Sequence, residues 1–178
     1  MKLFIASDIH GSYAYAEKLV KLYEKSGAER LILLGDLLYH GPRNDLPLEY
    51  CPKKVIPLLT ELKDEIIAVR GNCEAEVDQM VLPFSVMDTS TKLFVDNKVW
   101  FLTHGHIISY DKIPSGVDIF MQGHTHIPVL ERKEGKILLN PGSVSIPKNG
   151  SKNGYAFYDN GNLSLRTLDG ETIKSLRI

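Results

Sequence analysis

The chain has 178 residues, 43% of them hydrophobic and 24% charged, with a formal net charge of -1. That is enough for one domain with a proper core and too little for two, so residues 1–178 are read as a single domain. The charge balance offers no general electrostatic hold on nucleic acid or anionic membrane, and no apolar run is long enough to span a bilayer.

At the N-terminus, Lys2 is followed only by LFIA before Ser7 and Asp8 interrupt, which is too short for a signal-peptide core. KLFIA instead predicts a first buried strand. Residues 14–27, AYAEKLVKLYEKSG, carry apolar side chains at helical spacing, with Ser12 placed to cap the start and Gly27 the end. RLILL predicts the second strand. A second helix is expected from Pro52 to Lys63, kinked or starting late because Pro57 falls inside it. IIAV, VWFL, DIFM and KILL are further short apolar runs of strand character. From about Asp118, turn signals such as KEGK and DNGN predict hairpins and a meander, and no helical pattern occurs between Ser151 and Ile178.

Strand–helix–strand–helix–strand at the front predicts a largely parallel α/β sheet. Ligands bind beyond the carboxyl ends of such strands. The polar clusters fall at those ends: SDIHGS, GDLLYHG, RGNCE, THGH, QGHTH and NPGS each follow an apolar run. Two cysteines, Cys51 and Cys73, are too few for a disulfide framework, so a reducing compartment, the cytoplasm, is expected.

Five of the six histidines fall in three tight groups: Asp8-Ile9-His10, His104-Gly105-His106 and His124-Thr125-His126. In extended backbone, residues i and i+2 point to one side, so each pair could grip one ion or two neighbours. Asp36 and Asn72 complete a mixed carboxylate, amide and imidazole set. It lacks the thiolates of a structural zinc site and suits manganese, iron or zinc. Seven ligands are too many for one tetrahedral ion and suit two ions sharing a carboxylate, as in two-metal displacement at phosphorus.

These residues resemble the calcineurin-like metallophosphoesterases, whose ordered pattern is D-x-H, G-D, G-N-H-[DE], a histidine, then G-H-x-H. Here it reads Asp8-Ile9-His10, Gly35-Asp36, Gly71-Asn72-Cys73-Glu74, His104 and Gly123-His124-Thr125-His126. SDIHG, HGPRN, EVDQM, FLTHGH and NPGSVSIPK are similar to the small YfcE-type bacterial phosphodiesterases. The resemblance implies two packed mixed β-sheets flanked by helices, with a dimetal site at the strand C-terminal ends. It implies a first metal on Asp8, His10 and His126, a second on Asn72, His104 and His124, and Asp36 between them. It also implies a hydrolase that attacks a small phosphodiester in line with a metal-bridging hydroxide. Mn2+ is the ion by family habit; Fe, Zn, Co and Ni satisfy the same ligands.

Relatives that act on monoesters carry G-D-x-x-D-R and G-N-H. This chain has Tyr39 and His40 in place of the second aspartate and the arginine, and Cys73 in place of the histidine. A diester carries one negative charge, so fewer fixed cations suffice; Arg43, with His40, is the candidate to bind it. Cys73 is a candidate pocket residue where relatives keep an acid, against three alternatives: a packed thiol, a ligand or a nucleophile. His106 either orients a ligand or satisfies a loop, and Asn140 and Ser143 either support ligands or form a turn. The competing functions are a phosphomonoesterase or dinucleoside polyphosphate hydrolase, and a non-catalytic scaffold like the small retromer subunit. Nucleic acid is not an expected partner, and self-association is left open.

Overall fold

A computed structural model describes residues 1–178. β1 (Lys2–Ala6), β2 (Arg30–Leu33) and β3 (Ile66–Ala68) are parallel neighbours, joined by α1 (Tyr13–Ser26) and α2 (Pro52–Glu61). After α3 (Glu76–Val81) the chain builds a second sheet from β4 (Ser90–Val95), β5 (Lys98–Thr103), β6 (Ile119–Met121), β7 (Val129–Lys133) and β8 (Lys136–Asn140). Its order is β4-β5-β6-β8-β7, with β5, β6 and β8 parallel. The chain then returns to the first sheet through β9 (Gly154–Asp159), β10 (Asn162–Thr167) and β11 (Thr172–Arg177). These add antiparallel beside β1, giving the order β11-β10-β9-β1-β2-β3. The front strands β1–β3 are parallel as the strand–helix alternation predicts, and the C-terminal meander makes the first sheet as a whole mixed. The tight turns of the C-terminal meander, Asn160-Gly161 among them, can connect only antiparallel strands.

The continuous apolar runs are explained by burial on both faces of the first sheet. Phe4, Ala6, Leu31 and Leu33 face Leu19, Tyr23, Val55 and Leu59 of the helices. Leu3, Ile5, Ile32 and Leu34 face Trp100, Leu102, Ile119 and Leu139 of the second sheet. A strand packed on both sides cannot show polar alternation. Two sheets packed face to face, helices outside one of them, match the α/β architecture implied by the resemblance.

Local details depart from expectation. Ser12 does not cap α1: its hydroxyl donates to the Leu48 carbonyl at 2.6 Å, tying down the following loop instead. Gly27 does end the helix in a left-handed conformation, φ 67°. α2 does not start late; it begins at Pro52 and runs past Pro57 to Glu61, two residues short of the expected Lys63, with Val55 and Leu59 anchoring its inner face. Pro52 lies in the first helical turn, where its missing N–H has no helical partner to lose.

Ile32 lies fully buried between the sheets. Truncating it to alanine is expected to cost about 2–5 kcal/mol through lost contacts and a residual cavity. Calorimetry should show a drop of about 2–4 °C for each kcal/mol.

Candidate metal centre

Parallel strands from both sheets end at one crevice. β1 delivers Asp8 and His10, β2 Asp36, and β3 Asn72 and Cys73; β5 delivers His104, and β6 His124 and His126. Backbone hydrogen bonds continue beyond the strands and register the loops. Asp8 N–H donates to Gly35 O at 3.0 Å, His10 N–H to Asp36 O at 2.9 Å, and Gly123 N–H to His104 O at 3.0 Å.

Two of the three i, i+2 groups, Asp8-Ile9-His10 and His124-Thr125-His126, are not extended, which corrects the premise of their sequence reading. Asp8, His10, Asp36, His124 and His126 all have positive φ, between 50° and 64°. The strands have already ended, and each residue sits in a left-handed turn that is uncommon for side chains other than glycine. Such conformations cost of order 1–3 kcal/mol each and cluster at functional sites. The convergence of the side chains comes from these turns and not from strand pleating.

Two glycines permit the close approach. A Cβ on Gly71 would run into the carboxylate and backbone of Asp36, and one on Gly123 would strike Ser7 and Asp8. Neither has positive φ, so they are glycines for space and not for backbone freedom.

Three histidines are held in the same way. Nδ1–H donates to a backbone carbonyl in each: His10 to Tyr39 at 2.8 Å, His104 to Leu34 at 2.7 Å, and His126 to Ile146 at 2.6 Å. That fixes Nε2 as the inward atom, with a lone pair whenever the ring is neutral. The Nε2 atoms of His10 and His126 face each other at 3.2 Å. His104 Nε2 is 3.0 Å from Asn72 Oδ1 and 3.3 Å from Asp36 Oδ2. His126 Nε2 is 3.2 Å and His10 Nε2 3.6 Å from Asp8 Oδ1, a buried oxygen without a hydrogen-bond partner. His124, half-buried, donates its backbone N–H to Asp8 Oδ2 at 3.1 Å, and its ring lies 5.1 Å from that of His104.

Acceptor atoms thus converge with no donor among them. Protons or cations must supply the missing positive charge. Burial opposes charging of the His104 ring, but Asp36 and Asp8 outweigh it and push its pKa up to about 9. Burial alone would raise Asp8; His10 and His126 more than reverse it and hold that carboxyl well below the usual range. The same holds for Asp36, where burial is opposed chiefly by His104. Asp8, His10 and His126 present ligand atoms within 4.8 Å of one another, as do Asp8, Asp36 and His104. The donor set fits divalent cations: Asp8 belongs to both of these clusters, a third joins His10, Asp36 and Cys73, and Asp36 Oδ2 lies 3.3 Å from His104 Nε2 and 3.7 Å from His10 Nε2.

Residues 1–162 match the model of the calcineurin-like phosphoesterase superfamily domain. The chain belongs to that superfamily. Phosphodiesterase YfcE of Escherichia coli (strain K12) is 45% identical over 175 residues, 97% of this chain and 95% of that protein. A solved structure of YfcE, described as a phosphoesterase, superposes with a TM-score of 0.98 at 44% identity over 100% of both chains. Wild-type Vps29 of Entamoeba histolytica, solved with zinc, has a TM-score of 0.63 at 19% identity over 100% of this chain and 98% of that one. At that identity the likeness is one of fold.

Within this calcineurin-like centre, sequence reasoning gave Glu74 no role beyond its place in the motif. It is buried and accepts from the N–H groups of Asp36 at 2.8 Å, Leu37 at 2.7 Å and Gly71. Burial and the nearby Asp36 charge push its pKa up to about 7, against those three amides. Asn140 Nδ2 donates to Gly123 O at 2.7 Å and Thr125 Oγ1 at 3.0 Å, and Ser143 Oγ to Asp8 O at 2.8 Å. Both therefore brace the histidine loops and are more than a turn. His106 packs its ring 5.3 Å from His104, and its buried Nδ1 has no partner.

The substrate side is a cavity of about 340 Å³ lined by His10, Asp36, Arg43, Cys73 and His124, and also by Asn44 and Lys148. Asn44 and Lys148 had been passed over within the quoted HGPRN and IPK stretches. His40 is not in this lining: its ring packs between Tyr39 and Tyr50, at 4.7 Å and 5.1 Å. Cys73 N–H donates to Asp36 Oδ1 at 2.8 Å. Burial, then the Asp36 charge, holds its thiol well above the usual range, so it is a neutral wall and a poor nucleophile.

Glu74→Gln would set an NH2 group against one of three backbone donors whichever way the amide turned. We expect a loss of about 1–3 kcal/mol in stability and weaker divalent-metal binding, read by thermal melts with and without metal.

Proposed function

We propose that the protein is a metal-dependent phosphodiesterase, a hydrolase that cleaves one ester bond of a small phosphodiester using two divalent cations, with Mn2+ the first choice. Residues 1–178 act as one metallophosphoesterase domain in this reading. The observation that carries it is the convergence of inward-facing Nε2 atoms and buried carboxylates, His10 against His126 at 3.2 Å and His104 against Asp36 at 3.3 Å.

Asp8, His10 and His126 would hold one cation, Asn72, His104 and His124 the other, with Asp36 between them. Such ions lower the pKa of a bound water and neutralise charge on phosphoryl oxygens. The chain's own residues do the rest. Backbone carbonyls of Tyr39, Leu34 and Ile146 keep three imidazoles in the tautomer that points Nε2 inward. Glu74 and the Gly71 gap hold Asp36 in place. Arg43, with Asn44, is suited to a non-bridging phosphoryl oxygen, and Lys148 adds a second cation to the lining. Those few cations suit the single charge of a diester. With Cys73 as a neutral thiol, no strong acid protonates the leaving group, so diesters of acidic alcohols should turn over fastest.

The two free cysteines support placing the protein in the cytoplasm. No helix is long and apolar enough to cross a membrane. The net charge of -1 argues against nucleic acid as substrate. Self-association belongs to the same reading: Phe94, 78% exposed on the edge strand β4, is apolar surface that a second copy would cover.

Paired aryl mono- and diesters assayed with saturating Mn2+ should favour the diester. Faster turnover of the monoester would replace this reading with a phosphomonoesterase. Asp36→Asn should lower diester hydrolysis by at least about 100-fold, beyond the loss typical of residues that only support a metal ligand. Metal content by mass spectrometry should fall with it; full activity with both ions retained would contradict the shared-ligand role.

A further inference from the structure

A second cavity, a groove of about 460 Å³, lies beside the metal pocket and is of opposite character. Its walls are Leu38, Tyr39, Tyr50, Ile56, Val77 and Val81, from the loop after β2, from α2 and from α3. Val77 is 58% exposed and Tyr39 42%, so this is apolar surface left open to solvent. Cys73 lines both cavities. We propose that this groove is the subsite for an apolar organic arm of the substrate, so that the enzyme selects phosphodiesters bearing one aromatic or branched apolar alcohol. The inference rests on the phosphodiesterase reading and narrows its substrate class.

Continuity with the reaction site is the main support. Cys73 is one hydrogen bond from Asp36, whose carboxylate lies between His104 and His10. Its thiol therefore forms the boundary between the phosphoryl pocket and the groove. The junction is kept open at Gly41, φ 80°, where a side chain would sit 3.2 Å from Cys73 Sγ. A diester held in the metal pocket carries two organic arms, and that pocket is lined almost wholly by polar and charged side chains that match neither arm. The groove is the adjoining apolar surface. Tyr39 is fixed there by edge-to-face contact with His40, which contacts Tyr50 in turn, at interplanar angles of 68° and 79°. A ring held this way offers a stacking surface at little conformational cost. It also accounts for His40, which leaves the phosphoryl pocket to brace this wall. The charged groups in the groove are Lys53 and Asp78, and Asp78 already accepts from Ala75 N–H at 2.8 Å. A second copy of the chain is the other occupant this surface suits; the shared wall at Cys73 favours the substrate arm.

The test uses p-nitrophenyl diesters with one leaving group and a varied retained arm: methyl, phenyl and naphthyl. With the Mn2+-loaded protein, kcat/KM should rise by about tenfold or more from methyl to naphthyl, mainly through KM. Calorimetry should rank naphthylmethylphosphonate above methylphosphonate likewise, because these C–P compounds report binding without hydrolysis. Val77→Ser combined with Val81→Ser should compress both ratios to about threefold or less, and Tyr39→Ala should do the same from the opposite wall. Hydrolysis that is indifferent to the arm overturns the subsite and leaves the phosphodiesterase standing. No diester hydrolysis alongside a retained aromatic preference in phosphonate binding sinks the phosphodiesterase reading instead. Sedimentation velocity covers the remaining occupant: a dimer that the valine substitutions split, with the arm ratios unchanged, makes the groove an interface and overturns the proposal.

Discussion

The structure is organised around lone pairs buried without donors. At the floor of the crevice, imidazole Nε2 atoms and buried carboxylate oxygens approach within hydrogen-bond distance and, with the rings neutral, have no proton to share; the amide oxygen of exposed Asn72 joins them from the rim. In a low-dielectric site that arrangement is costly until positive charge fills it. Everything nearby holds the acceptors inward. Three backbone carbonyls take the Nδ1 protons of the histidines. Glu74 takes three amides of the loops around Asp36. Ser143 and Ser145 both donate to the Asp8 carbonyl, crossing from the β8 loop to the β1 loop. Metal affinity and folding are therefore coupled, because bound cations remove a penalty that the apo fold must meet with protons.

The two-sheet architecture makes this possible. Neither sheet has enough loops at one end to assemble the set. The first contributes Asp8, His10, Asp36 and Asn72, and the second His104, His124 and His126. Packing Leu3, Ile5 and Ile32 against Trp100, Leu102 and Ile119 brings the carboxyl ends of both parallel groups together. That apolar layer stabilises five non-glycine residues in left-handed turns, each of which would be unfavourable alone. The strain lies in the loops, and the offsetting burial lies between the sheets.

The departures from the wider superfamily sort into two neighbouring cavities. Tyr39 and His40 stand where relatives keep a charged pair, and they build an aromatic wall outside the phosphoryl pocket. Cys73 stands where relatives keep a histidine and forms the partition between polar and apolar space. Charge is removed from the phosphoryl side and apolar surface is gained beside it. In the proposed reading both changes act in one direction, toward a substrate with less charge and more organic bulk.

Much was legible in the chain itself. Short strands, the two N-terminal helices and five ordered motifs follow from local patterns, because apolar runs ending in Gly, Asp, Asn and His need no distant information to be recognised. The ligand candidates could be named for the same reason: metal chemistry restricts them to a few residue types. Other features required the tertiary structure. The left-handed turns at Asp8 and His124 and the three-amide role of Glu74 depend on partners tens of residues away. So do the exclusion of His40 from the phosphoryl pocket and the membership of Asn44 and Lys148 in it. The sequence by itself determined which atoms could bind cations, since that is a property of side-chain chemistry. Only the tertiary structure decided which of them face one another without donors, since that depends on how two sheets pack.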